Sequence, residues 1–168
     1  MENRSRFIIE VVQAVANAIG KEKTGIRFSP FSKLGDLAEY GEEETHNTYA
    51  YLAQQLDGLQ IAYLHIAVNV PIAEKTFQAI RDNFSGTIIL ANGLTPEKGE
   101  EALHAGFADL VAFGRSFLSN PDFAERIKTN AVLNPVDYNT LYTPGAAGYT
   151  DYPVINSSKE IKIHQNEI

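Results

Sequence analysis

The sequence predicts an α/β fold built on a parallel sheet. Three observations carry that reading. Short strand-like runs alternate four times with helix-like runs. The run Ile61-Ala62-Tyr63-Leu64-His65-Ile66-Ala67-Val68 is almost continuously apolar, as expected of a parallel strand covered on both faces. The last two strands each break into a glycine-bearing turn before the next helix.

Residues 3–19 read as a helix, with Phe7, Ile8, Val11, Val12, Val15, Ala18 and Ile19 on one stripe and Gly20 as a stop. A short strand follows in Thr24-Gly25-Ile26-Arg27-Phe28-Ser29, closed by Pro30. Residues 31–43 are polar and acidic and suit a long loop. Glu44 to Gly58 reads as a helix that buries Tyr49, Leu52, Ala53 and Leu56. The second strand is the apolar run 61–68, and Glu74 to Phe84 is a helix carrying Phe77 and Ile80. Thr87-Ile88-Ile89-Leu90-Ala91 forms the third strand. Thr95 then caps a helix with Pro96 and Glu97 in its first turn, running to about Ala105 and stopped by Gly106. Asp109 to Phe113 is the fourth strand, and Asp122 to Lys128 the last helix. Residues 1–155 thus read as one helix followed by four βα units, and 156–168 as a polar, disordered tail.

Bulk properties remove several function classes. The 168 residues suit one domain, and 44% hydrophobic content is enough for a core. No apolar run is long enough to cross a membrane, and residues 1–6 lack a signal-peptide core. A net charge of -7 disfavours a nucleic-acid partner. No cysteine is present, which excludes disulfides and thiolate metal sites and suits a reducing, cytoplasmic setting.

The candidate chemistry lies at strand ends. In Phe113-Gly114-Arg115 a glycine permits close backbone approach and the next residue is a fixed cation. One strand earlier, Asn92-Gly93 forms a second turn suited to an anion. Two such turns in succession point to the phosphate of a cofactor. Arg27 ends a strand read as buried, where its charge needs a partner. A carboxylate in the following loop, Asp36 or Glu39, is as good a partner as a ligand. His65 reads as a hydrogen-bonded core residue, and His46, His104 and His164 as solvated. No His pair has metal-ligand spacing, and no nucleophile elbow or P-loop occurs.

Six segments come in a telling order: Glu2-Asn3-Arg4-x-Arg6-Phe7, Gly25-Ile26-Arg27-Phe28-Ser29-Pro30, Ala62-Tyr63-Leu64-His65, Val111-Ala112-Phe113-Gly114-Arg115, Asn120-Pro121-Asp122 and Gly148-Tyr149-Thr150-Asp151-Tyr152-Pro153. Together they resemble the old yellow enzyme family of FMN-dependent ene-reductases, which includes N-ethylmaleimide and oxophytodienoate reductases. The resemblance runs from Glu2 to about Pro153. It implies a partial TIM (β/α) barrel, with the four βα units standing for strands five to eight. It implies FMN as cofactor and NADPH or NADH as reductant. Arg27 would lie at the flavin N1–O2 edge, and Asn92, Gly93, Gly114 and Arg115 would hold the phosphate. The family more often has glycine where Asn92 stands. Of an aromatic pair on the substrate side, only Tyr142 carries over, since Leu141 replaces the first member. Packing of a terminal segment is an equally good reading of Tyr142.

The resemblance places the family's substrate-binding His–His or His–Asn pair and its proton-donating tyrosine in the first half of the barrel, so no catalytic residue is assigned in this chain. Four βα units cannot close a barrel, which implies a homo-oligomer, a partner chain supplying the first half, or a truncated remnant that folds poorly; the first two are the expectation. The expected reaction is reduction of a small electrophilic alkene such as an enone or maleimide. A non-catalytic FMN- or phosphate-binding half-barrel is the second reading. A sugar-phosphate isomerase or synthase barrel is the third, and it lacks a convincing carboxylate or lysine at a strand end.

Overall fold

The computed structural model describes residues 2–32, 41–67, 74–91 and 93–155. Its elements are α1 (Glu2–Ile19), a 3-10 turn (Lys21–Lys23), β1 (Gly25–Phe28), α2 (Glu42–Leu59), β2 (Tyr63–Ala67), α3 (Glu74–Asn83), β3 (Thr87–Ala91), α4 (Pro96–His104), β4 (Leu110–Ala112), α5 (Arg115–Ser119) and α6 (Phe123–Lys128). The chain forms two compact units, Met1–Ala112 and Phe113–Ile168. Residues 31–43 fall partly, and 156–168 wholly, outside the described residues.

In the first unit the four strands lie in chain order β1-β2-β3-β4, all parallel. Pairing in register, Ile26 stands beside Leu64 and Leu64 beside Ile88, while Phe28, Ile66, Leu90 and Val111 form a second row. These two rows supply the core. Leu64 and Ile66 are fully buried, and they cluster with Leu52, Leu56 and Ile80 of the helices. Phe28 meets the ring of Tyr49 edge-on, with centroids 5.3 Å apart. Arg81 pins the start of β4, donating to Asp109 Oδ2 at 2.9 Å and to the Gly86 carbonyl at 2.8 Å. Asp109 in turn accepts the Ile88 N–H, so one carboxylate ties α3, β3 and β4 together.

The alternate rows face away from this core. Strand geometry sends neighbouring side chains to opposite faces, and here only one face is covered by helices. Arg27 is exposed, His65 and Ile89 are half-buried, and Leu110 is 54% exposed. This corrects the expectation that β2 is covered on both faces. Its burial alternates over four residues, with Tyr63 exposed, Leu64 buried, His65 intermediate and Ile66 buried, and only at the carboxyl end is the open-face residue, Ala67, buried too. A continuous apolar run records what a strand can tolerate on each face, and not whether something covers it.

The stripe on α1 is also only half used. Val12 is buried, and Ile8 and Ile9 pack against the core. Phe7 is 73% exposed, and Val11, Val15 and Ile19 are exposed too. The apolar arc of α1 is wider than the surface that α2 and the sheet offer it, so its outer edge meets solvent.

The second unit is organised by Phe123, which is buried and stacks obliquely on Phe113 and Phe117. Its polar frame is a buried arginine. Arg126 pairs with Asp122 at 2.6 Å and donates to the carbonyls of Val132 and Pro153. Asn134 donates to the carbonyls of Ser119 and Pro153, each at 2.8 Å. Buried Asn120 accepts the Asn134 N–H at 2.7 Å. Residues 131–155 have no helix or strand, and these side chains hold several of their backbone groups in its place.

The uncovered face has a measurable consequence for the chain on its own. Leu64→Ala should cost about 3 kcal/mol by urea denaturation, because it opens a cavity in a sealed core. Leu110→Ala, on the open face, should cost under about 1 kcal/mol. Equal losses would mean that the face is covered after all.

Candidate functional site

Arg27 and His65 are paired directly across β1 and β2 on the open face of the sheet. The row toward the strand carboxyl ends holds Ala67, Ala91 and Ala112 in register. The row on the other side holds Gly25 beside Tyr63. A Cβ at Gly25 would lie 2.4 Å from the Tyr63 ring, so the glycine is there to let the ring lie flat across β1. The face therefore carries one fixed cation and one imidazole in an otherwise uncharged surface. His65 Nε2 is buried and has no hydrogen-bond partner. Burial and the neighbouring Arg27 charge both hold the His65 imidazole below its ordinary pKa, favouring the neutral ring.

The turn after β3 is described from Gly93 onward, and Asn92 lies outside the described residues. Gly93 has φ +67°, and nothing stands within 4 Å of where a Cβ would be. Backbone angle, not crowding, requires glycine here. Thr95 caps α4 by accepting the Lys98 N–H. Arg27 and Gly93 thus belong to one sheet, on β1 and just past β3.

Gly114, Arg115 and Tyr142 belong to the second unit. Gly114 has φ −87°, so its backbone does not demand glycine. Nothing stands within 4 Å of its would-be Cβ, which leaves free space directly over the backbone. That space fits a ligand that must approach the main chain closely. Arg115 is exposed and opens α5, whose first carbonyl-to-amide bond runs from Gly114 to Leu118. At the other end, Asn120 Nδ2 donates to the Ser116 carbonyl at 2.8 Å. Tyr142 is 93% exposed and has φ +63°.

Two expectations need correction. Arg27 does not end a buried strand with a charge that must be paired: it lies on the exposed face, and the proposed partners Asp36 and Glu39 lie outside the described residues. His65 is not a satisfied core histidine, since its Nε2 is unpartnered. Sequence reasoning also missed α5 and the Asn120–Arg126–Asn134 frame behind it. Five helical residues are too few for a periodic signal, and nothing local links Asn134 to Asn120. Among the described residues no helix is long and apolar enough to cross a membrane, and no cluster of three metal-ligating side chains occurs.

The sequence profile of the NADH:flavin oxidoreductase / NADH oxidase family matches residues 1–134. The chain is 39% identical to 12-oxophytodienoate reductase 2 of Arabidopsis thaliana, over 94% of its own length and 44% of that protein. It is 38% identical to a 12-oxophytodienoate reductase-like protein of Solanum lycopersicum, covering 92% of itself and 42% of the relative. Among solved structures it is similar to morphinone reductase in complex with tetrahydroNAD, with a TM-score of 0.82 and 39% identity, covering 94% of this chain and 42% of that one. It is also similar to the old yellow enzyme from Trypanosoma cruzi, with a TM-score of 0.82 and 30% identity over 91% of this chain and 41% of that one. The fold is therefore part of a TIM barrel.

The depressed His65 pKa sets a pH dependence. The folded chain binds this proton more weakly than the unfolded chain does, so stability rises with pH across the interval. The contribution is complete above the ordinary histidine value of 6.5 and is lost as the pH falls below it. A His65→Gln variant should lose less stability than the wild type between about pH 7 and pH 5. Parallel denaturation curves for the two proteins across that range would remove the effect.

Proposed function

Because the chain belongs to the NADH:flavin oxidoreductase / NADH oxidase family, we propose that it forms the FMN-holding part of an oxidoreductase acting on small activated alkenes. The chain spans 42–44% of the length of the relatives it matches, so the activity is proposed for a completed barrel. The observation that supports the cofactor most directly is Arg27, a cation exposed on an uncovered sheet face beside a neutral imidazole. Bound FMN would supply hydride transfer, from NADPH or NADH to the β-carbon of an enone or maleimide.

Each residue then has a role. Arg27 holds a fixed positive charge where the reduced ring system gathers negative charge, which favours the reduced form. Gly114 opens the backbone to the phosphate, and Arg115 adds a guanidinium suited to it. Gly93 offers its backbone amide at a second turn, and Asn92 is assigned to the same phosphate on the resemblance alone. Tyr142 faces the substrate side. No residue of this chain is assigned proton donation or carbonyl polarisation. Those roles fall to the part of the barrel that these residues do not span, for which the exposed arc of α1 and the open sheet face provide apolar surface. We take residues 1–155 together as this half, acting in the cytoplasm, a setting that rests on the cysteine-free sequence. A non-catalytic FMN- or phosphate-binding half-barrel is the second reading.

FMN titration followed by flavin absorbance, with and without a supplied first-half chain, tests the assignment. Arg115→Ala should weaken FMN binding about tenfold or more, the loss expected for a charge-assisted phosphate contact. Unchanged affinity sinks the phosphate assignment. Arg27→Ala should shift the bound flavin's reduction potential to a more negative value while Arg27→Lys retains most of it. Bleaching by NADPH followed by reoxidation with an enone selects the oxidoreductase, whereas a completed assembly that binds FMN but is not bleached by NADPH selects the non-catalytic reading.

A further inference from the structure

Residues 132–153 leave α6 and return to it as a loop whose two legs are tied at three levels. At the base, the single guanidinium of buried Arg126 donates to the Val132 carbonyl on one leg and to the Pro153 carbonyl on the other. Midway, the Asp137 N–H donates to the Tyr152 hydroxyl oxygen at 2.9 Å. At the tip, the Tyr142 N–H donates to the Tyr149 hydroxyl oxygen at 2.8 Å. The two upper ties replace a strand ladder with phenol oxygens.

The tip carries a conformation that its residue resists. Tyr142 has φ +63°, a region where a bulky side chain is a true outlier and where Gly or Asn is usual. Such outliers persist only when their surroundings over-determine them. Two features do so here. The Tyr149 oxygen holds the Tyr142 amide. Gly148, at φ +75°, lets Thr140 come so near that a Cβ would lie 2.0 Å from its Oγ1. Yet the ring that this backbone presents packs on nothing, being 93% exposed. A fixed backbone with an uncommitted aromatic side chain loses little entropy when it meets a ligand.

We propose that Tyr149 is a positioning residue for ligand recognition: its hydroxyl oxygen holds Tyr142 in the left-handed conformation, so that the Tyr142 phenol meets a planar conjugated carbonyl compound in one preset orientation. Arg126 serves the same end from the base of the loop. This inference rests on the reading of Tyr142 as a substrate-side residue.

The test uses the full chain loaded with FMN, with the completing half supplied if loading needs it, and 2-cyclohexenone as the probe. Tyr149→Phe removes one oxygen and keeps the ring. It should weaken enone affinity about fivefold, on the order of the net contribution of one intramolecular hydrogen bond, and leave FMN affinity within about twofold of wild type. Enone affinity unchanged in this variant, with faster hydrogen exchange at the Tyr142 amide, would make Tyr149 merely structural and overturn the proposal. Hydrogen exchange on the wild type provides an arm that needs no variant. The Tyr142 amide should be protected before the enone is added, and protection that appears only with the enone would also overturn it. A wild type that takes up no FMN in either setting instead defeats the functional reading on which the inference stands.

Discussion

One face of a parallel sheet sealed by helices is the constraint from which the first unit follows. Phe28, Leu64, Ile66, Ile88 and Leu90 all point to that face and are buried there. Because side chains alternate along a strand, sealing one set fixes the other set on the opposite face, in register. Arg27 and His65 therefore stand side by side without any direct bond having selected that pairing. A one-residue slip would exchange Arg27 for Ile26 or Phe28. The helix-side core is thus what places the cation, and mutations deep in that core should be felt on the far face.

The second unit solves a different problem. It has a short buried aromatic cluster and a long irregular segment whose backbone groups need partners. Arg126, Asn120 and Asn134 supply those at its base, and turns and other side chains supply those further out. Asp122 keeps Arg126 in place: burial pushes its carboxyl up, but hydrogen bonds from Arg126 and from the Ile155 N–H outweigh that and hold it ionised. A buried ion pair of this kind is weak support for stability in itself. Its value here is geometric, since one guanidinium fixes both legs of a loop that has no sheet or helix to organise it.

The charge distribution bears on function more than the net charge does. An acidic chain of -7 places Arg27 on an open sheet face and Arg115 at an exposed turn. A local cation beside an uncharged surface can hold one anionic group whatever the total charge, because screening limits distant carboxylates to a weak effect. The neutral His65 adds to this by leaving the Arg27 charge undisturbed above the histidine range.

The amino-acid sequence by itself determined the α/β class, the order of the βα units and all four strands to within a few residues. Local signals sufficed: apolar runs for Tyr63–Ala67 and Thr87–Ala91, and the Thr95-Pro96 cap for α4. The candidates Arg27, Gly114 and Arg115 were named through motifs in a recognisable order, Gly93 through its strand-end turn and Tyr142 through the family resemblance alone. Only the tertiary structure decided which apolar surface is covered. Val12 and Phe7 look alike in the sequence, yet one is buried and the other is 73% exposed. It alone revealed the unpartnered His65 nitrogen and the loop clipped by Arg126. Burial and long-range hydrogen bonds depend on what else lies nearby in space, and partners such as Arg126 and Pro153, 27 residues apart, leave no periodic trace in the chain that joins them.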